Sequence, residues 1–213
     1  MSELFLPYNI INEPSSGEYE EKKSRFIAYL NPVSSEEEAL SFINSVKKKH
    51  YDARHNCYAF IIGDKKELVR SNDDKEPQGT AGKPILEVLM GEGLTNVVCV
   101  VTRYFGGTLL GTGGLIRAYS EAVKEAVKNA SISSVSFCAN IKIKVSYNDV
   151  NNIQYYLNSN GIMILDTEYL QDVTFMIRVK EETKSEVIDK ISELTLGKAE
   201  AAITDSGYYP LTI

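Results

Sequence analysis

TNVVCVVTRYFGGTLLGTGGLIRAYSEAVKEAV, residues 95–127, runs through three patterns without a break. Its first third has a continuous apolar centre, as a strand buried on both faces should. Its last third carries Leu115, Ile116, Tyr119, Ala122, Val123, Ala126 and Val127 on one broad stripe at helical spacing, with the helix beginning near Thr112. Between them five glycines fall within residues 106–114. A buried strand that feeds an amphipathic helix needs other strands beside it and layers above and below.

Those partners are legible upstream. The segment YEEKKSRFIAYL alternates, with Phe26, Ala28 and Leu30 on one face and Lys23, Arg25 and Ile27 on the other, and reads as one strand. SSEEEALSFINSVKKKH reads as a helix with Leu40, Ile43 and Val46 inward and a capping box formed by Ser35 and Glu38. The acids of its first turn and the lysines of its last complement the helix dipole, so neither charge run needs a functional explanation. CYAFII and ELVRS, joined by GDKK, read as a hairpin. GKPILEVLMGEG reads as a short helix with Pro84 in its first turn.

At NASISS, residues 129–134, the composition turns small and polar and a second pattern begins. VSFCANIKIKVSY alternates over its whole length, with Val135, Phe137, Ala139, Ile141, Ile143, Val145 and Tyr147 on one side. A helix follows with Val150, Ile153 and Leu157 inward and Gly161 as its stop. Then come strands GIMILDTEYL and DVTFMIRVK, a helix with Val187, Ile191 and Leu194 inward that stops at Gly197, and a last strand near AEAAIT. The order strand, helix, strand, strand, helix, strand is the split βαβ, ferredoxin-like arrangement. The expected fold class is therefore α+β in two domains, residues 1–130 and 131–213.

Composition narrows the function. The net charge is −6; residues 1–130 hold 16 basic and 18 acidic side chains, and the remainder 7 and 11. Neither half is a polycation, which argues against a general nucleic-acid coat. Cys57, Cys99 and Cys138 form no CxxC pair and sit in apolar or alternating stretches, as buried thiols in a reducing compartment do. The N-terminal stretch MSELFLPYNI lacks a positive start and an unbroken apolar run, and no segment reaches the roughly 18 apolar residues of a membrane span. A cytoplasmic protein without a membrane partner is expected.

The glycine turns exclude two nucleotide sites. A dinucleotide fingerprint begun at Gly111 continues to Gly113 but meets Ile116 where its third glycine belongs. PQGTAGKP has Gly82-Lys83 before a helix, yet Pro77 and Pro84 stand where a phosphate-binding loop needs glycine and a hydroxyl. What remains is two glycine-rich turns, each feeding a helix N-terminus, with Lys83 and Arg103 beside them. Free N–H groups and the dipole favour an anion there; glycine's tolerance of close packing is the alternative explanation. His50 reads as a helix C-cap, and His55 as a strand-end residue next to Arg54. The acidic turn of Asp73, Asp74 and Glu76 could flank a site with Lys83 but reads as solvated, and no spacing suggests a metal, a cofactor or a nucleophile with its base.

DARHNCYAF, SNDDKEPQGTAGKPIL and VVTRYFGGTLLGTGGLIRAY, in this order and spacing, resemble the bacterial YigZ family, related to the eukaryotic translational regulator IMPACT. The resemblance implies an N-terminal α+β domain of the ribosomal-protein and elongation-factor type, like the fourth domain of elongation factor G. It implies a C-terminal domain like that factor's fifth. The family's motif residues fall on Arg54, His55, Asn56, Gly79, Thr80, Gly82, Lys83, Arg103, Gly106, Gly107, Gly111, Gly113 and Gly114, with Thr112 at the helix start. IMPACT carries a further N-terminal partner-binding domain; the YigZ-like region begins here around residue 18, so kinase-pathway regulation is not expected.

Two functions stay open. One is a non-catalytic binding protein of the translation apparatus that contacts RNA or a ribosomal partner. The other is a small enzyme for a phosphorylated or anionic metabolite at the glycine turns, which would converge beside Arg54, His55, Lys83 and an exposed Arg103. For the first, strand parity puts Lys142, Lys144, Arg178 and Lys180 on the open face of the C-terminal sheet, with Ser136, Cys138, Asn140, Thr174 and Met176. That face would hold phosphates without aromatic side chains to stack on bases.

Overall fold

The computed structural model describes residues 6–211. The stretch MSELF, part of the N-terminal reading above, lies outside the described residues, as do the last two. The chain divides into two compact units, Tyr8–Ser134 and Val135–Leu211, and is α+β in both.

The first unit is built on a sheet of β2 (Ser15–Glu21), β3 (Ser24–Pro32), β6 (Val97–Tyr104), β4 (His55–Ile62) and β5 (Leu68–Asn72), in that spatial order. Every neighbouring pair is antiparallel. Helix α1 (Glu36–Lys49) covers one face; α2 (Gly82–Gly91) and α3 (Gly111–Lys128) cover the other. The unbroken apolar run of β6 follows from that cover, not from a parallel sheet. Val97, Cys99 and Val101 face α2 and α3, while Val98 and Val100 face α1. A short β1 (Tyr8–Ile11) runs beside the loop ahead of β6, with the Asn9 N–H donating to the Gly93 carbonyl at 3.0 Å.

Three expectations change. The segment read as one strand is a hairpin: Glu21 pairs with Ser24, and Lys22 and Lys23 turn the chain with φ of 47° and 65°. Two left-handed residues between paired strands make the tight turn that Asn-Gly usually forms, so a Lys-Lys turn carries no composition signal. Leu40 and Ile116 lie on the expected helical stripes but are exposed, because a helix laid on a flat sheet buries a narrower strip than its apolar pattern spans. The capping of α1 is also shared. Ser35 Oγ accepts from the Glu38 N–H at 3.2 Å, but the Glu38 carboxylate reaches back to the Ser34 N–H at 2.6 Å instead of that of Ser35.

The second unit runs β7 (Ile132–Val145), α4 (Val150–Ser159), β8 (Met163–Tyr169), β9 (Val173–Lys180), α5 (Lys184–Leu194) and β10 (Glu200–Leu211). Its strands lie in the order β10-β7-β9-β8. Ala139, Ile141, Ile143 and Val145 meet Val173, Phe175, Ile177 and Val179 under Ile153, Leu157, Val187 and Ile191, so both helices cover one face. Tyr147 lies past the strand end and is 54% exposed, whereas Cys138, placed by parity on the open face, is fully buried.

No helix among the described residues is long and apolar enough to cross a membrane.

Candidate functional site

The two glycine turns have different fates. At the start of α2 the Asp73 carboxylate accepts three backbone N–H groups, from Gly79 at 2.8 Å, Ala81 at 3.0 Å and Gly82 at 2.8 Å. Burial works against its charge, but the three donors prevail and hold the carboxyl below the usual carboxylate range. The position expected for a bound anion is filled by the chain itself. Thr80 is buried with its hydroxyl donating to the Pro77 carbonyl, and Gly82 packs so closely on Asn72 that a Cβ would lie 2.7 Å from that residue's nitrogen. Lys83 faces outward beside Glu87. Gly79, Thr80, Gly82 and Lys83 are thus structural positions of a self-capped helix.

Nor is the acidic turn solvated. Asp74 Oδ2 accepts the Asn56 N–H at 2.7 Å, and its carbonyl accepts from His55 Nδ1 at 2.9 Å. Glu76 is 9% exposed and takes hydrogen bonds from Arg103 Nη1 at 2.6 Å and from the Tyr119 hydroxyl at 2.8 Å. Arg103, expected to be exposed at its strand end, is 6% exposed, with its guanidinium between the rings of Phe26 and Phe105. The side chain turns inward because Glu76 supplies its counter-charge in the core; no spacing in the sequence links residues 27 apart. Burial pushes the Tyr119 and Cys57 groups far up, so both stay protonated. Asn56 is buried too, its Oδ1 accepting from the Thr102 hydroxyl at 2.7 Å.

The other turn borders a cleft of about 440 Å³, lined by Arg54, His55, Glu76, Pro77, Arg103, Phe105, Leu109, Leu110, Gly111, Thr112 and Leu115. His55 and Arg103 come together as cross-strand partners on β4 and β6. Arg54, His55, Arg103, Gly111 and Thr112 therefore share one site. Asn56, Gly106, Gly107, Gly113 and Gly114 are not in its lining; Gly106 instead packs against the Lys23–Ser24 backbone. Gly111 opens α3 with a φ of 72°, and Gly113, exposed, and Gly114, half-buried, follow in the first turn. A carbonyl oxygen can only accept, so His55 donates from Nδ1 to Asp74. Sequence reasoning missed Glu76 as a lining residue, and the apolar wall of Phe105, Leu109 and Leu110, because exposed apolar residues in a turn look like any others.

In the second unit, β7 and β9 set Asn140 opposite Arg178, Lys142 opposite Met176, Lys144 opposite Thr174 and Cys138 opposite Lys180. Lys142, Lys144, Arg178 and Lys180 therefore share the face away from the helices. Lys144 is held by Asp172 at 3.1 Å, which raises its pKa. Arg178 Nε donates to Asn140 Oδ1 at 3.0 Å, and its guanidinium lies 3.8 Å from the centre of the Tyr209 ring. The face was expected to lack aromatic side chains. Tyr209 supplies one, because β10 extends to Leu211 rather than ending near Thr204.

Residues 22–127 match the family of the Impact N-terminal domain, and residues 143–198 match a domain of unknown function, DUF1949. The chain is 38% identical over 193 residues to the IMPACT family member YvyE of Bacillus subtilis, covering 91% of this chain and 89% of that protein. It is 35% identical over 178 residues to the IMPACT family member YigZ of Escherichia coli, covering 83% and 87%. Protein IMPACT of Oryctolagus cuniculus is 33% identical over 95 residues, 43% of this chain and 30% of that one. A crystal structure described as that of a hypothetical protein superposes with a TM-score of 0.59 at 32% identity, covering 95% of this chain and 99% of the other.

Proposed function

The chain belongs to the IMPACT family, and from that premise we propose that it is a non-catalytic binding protein of the translation apparatus that contacts RNA through the open face of its C-terminal sheet. The observation that carries the reading is the β7–β9 register, which collects Lys142, Lys144, Arg178 and Lys180, four of the seven basic residues after position 130, on one face. A cluster of cations on an otherwise acidic unit is suited to phosphates, and its contribution is electrostatic and weakened by salt. The Tyr209 ring lies under Arg178 and bonds through its hydroxyl to Asp205, so it steadies the guanidinium and is not free for a base. The face then positions a backbone without reading sequence. The resemblance to a translational regulator supports the same assignment.

The test is co-sedimentation with ribosomal subunits at low and at moderate salt. The wild-type chain is expected to sediment at low salt and to be released as salt rises. The variant with Lys142, Lys144, Arg178 and Lys180 all replaced by Glu is expected to stay in the supernatant while remaining folded. Equal sedimentation of the two proteins would move the contact off this face.

A further inference from the structure

The cleft at the start of α3 lies wholly in the first unit and is not used by the RNA reading. We propose that it binds a small phosphate monoester whose alcohol part is aromatic or otherwise apolar and planar.

The phosphate end follows from three groups. Helix α3 begins at Gly111 with Leu110 at its N-cap, no side-chain cap and no acid in its first turn. Its leading N–H groups and the positive end of an 18-residue helix dipole therefore have no carboxylate partner among the described residues. Arg103 lines the same cleft, is 6% exposed and gives Nη1 to Glu76, yet its buried Nε has no acceptor. A buried donor left unmatched costs stability comparable to a lost hydrogen bond, which points to an acceptor that is not part of the described chain. Arg54, at the rim, is exposed and has no carboxylate partner among the described residues. The one acid of the cleft, Glu76, is neutralised by Arg103 and Tyr119, so the local balance favours an anion.

The apolar end follows from the rest of the lining. Phe105 is 45% exposed and Leu109 is 84% exposed, and both line the cleft with Leu110 and Leu115. Inorganic phosphate would leave this wall in water. A volume of about 440 Å³ accommodates a ring as well as a phosphate.

The experiment is titration of the labelled full chain with phenyl phosphate, inorganic phosphate and phenol, followed through the backbone amides of Gly111, Thr112, Gly113 and Gly114. Phenyl phosphate should move these amides and bind at least about tenfold more tightly than inorganic phosphate, the gain expected from burying part of a ring. Phenol should produce no comparable shift. Arg54→Gln removes a rim cation without touching the core, and Thr112→Asp places a carboxylate at the helix start, where it favours the fold and opposes the ligand. Each should weaken phenyl phosphate about tenfold or more. Unmoved amides, equal affinity for the two phosphates, or full affinity in both variants would overturn the proposal. So would binding of a 5′-phosphorylated oligonucleotide without binding of phenyl phosphate, which would assign the cleft to a nucleic-acid end. Because the readout lies in residues 111–114, failure here leaves the sedimentation result on the C-terminal face unaffected.

Discussion

Asp73 Oδ1 lies 2.8 Å from the Gly82 nitrogen, in the place at the head of α2 where a bound anion would otherwise sit. Replacing Asp73 with Ala leaves three N–H groups without an acceptor and should cost about 2 kcal/mol, the upper range for loss of a helix cap. Urea unfolding measures it, and a loss below about 0.5 kcal/mol would mean that water replaces the carboxylate without penalty.

The Arg103–Glu76 pair belongs to the core. Glu76→Gln or Arg103→Ala should each destabilise by about 3 to 5 kcal/mol, since each strands a buried charge. Replacing both with apolar residues of similar volume should cost much less than the sum. Additive losses in this double-mutant cycle would show that the two side chains are not coupled.

The turn at Lys22-Lys23 holds two non-glycine residues in the left-handed region. Changing the pair to Asn-Gly relieves that conformation and should stabilise the first unit by about 1 kcal/mol, read as a raised unfolding midpoint.

His50 caps α1 between two phenols, with Nε2 2.9 Å from the Tyr29 hydroxyl and Nδ1 2.8 Å from that of Tyr104. Burial first, then the neighbouring charges of Lys49 and Arg25 against the opposing Asp52, hold its pKa below the usual 6.5. Protonation therefore favours the unfolded chain. The stabilising contribution is complete above pH 6.5 and is lost as pH falls from there to the lowered value. Thermal midpoints of the wild type should drop across that interval, and His50→Gln should remove this part of the slope.

Asp172 competes with any phosphate for Lys144. Asp172→Asn should tighten salt-sensitive RNA association by about threefold, within the range of an exposed ion pair. Weaker binding by this variant would place Lys144 outside the contact.

Much of the fold is written in periodicity. The stripe of α3, the apolar run of β6 and the alternation of β7 each constrain one element, and the inward positions of β7 follow parity from Ala139 to Val145. The candidate sites are less legible because their decisive contacts join residues that no period connects. Glu76 reads as a solvated acid until Arg103 and Tyr119 are seen around it. Asp73 reads as a turn residue until the helix start folds over it. Tyr209 falls in a strand whose length the local pattern understates.

The position of β6 in the first sheet also has a consequence for the order of events during synthesis. Two hairpins, β2–β3 and β4–β5, are complete in sequence by Asn72, but they meet only through β6, which pairs with both and is made last, at Val97–Tyr104. Until that strand emerges from the ribosome, the inner edges of β3 and β4 have no partner and α1 has only half a surface to lie on. The nascent chain therefore exposes two sticky edges over a stretch of elongation, and the longer of the two connections to be closed, from β3 to β6, spans about half of the unit.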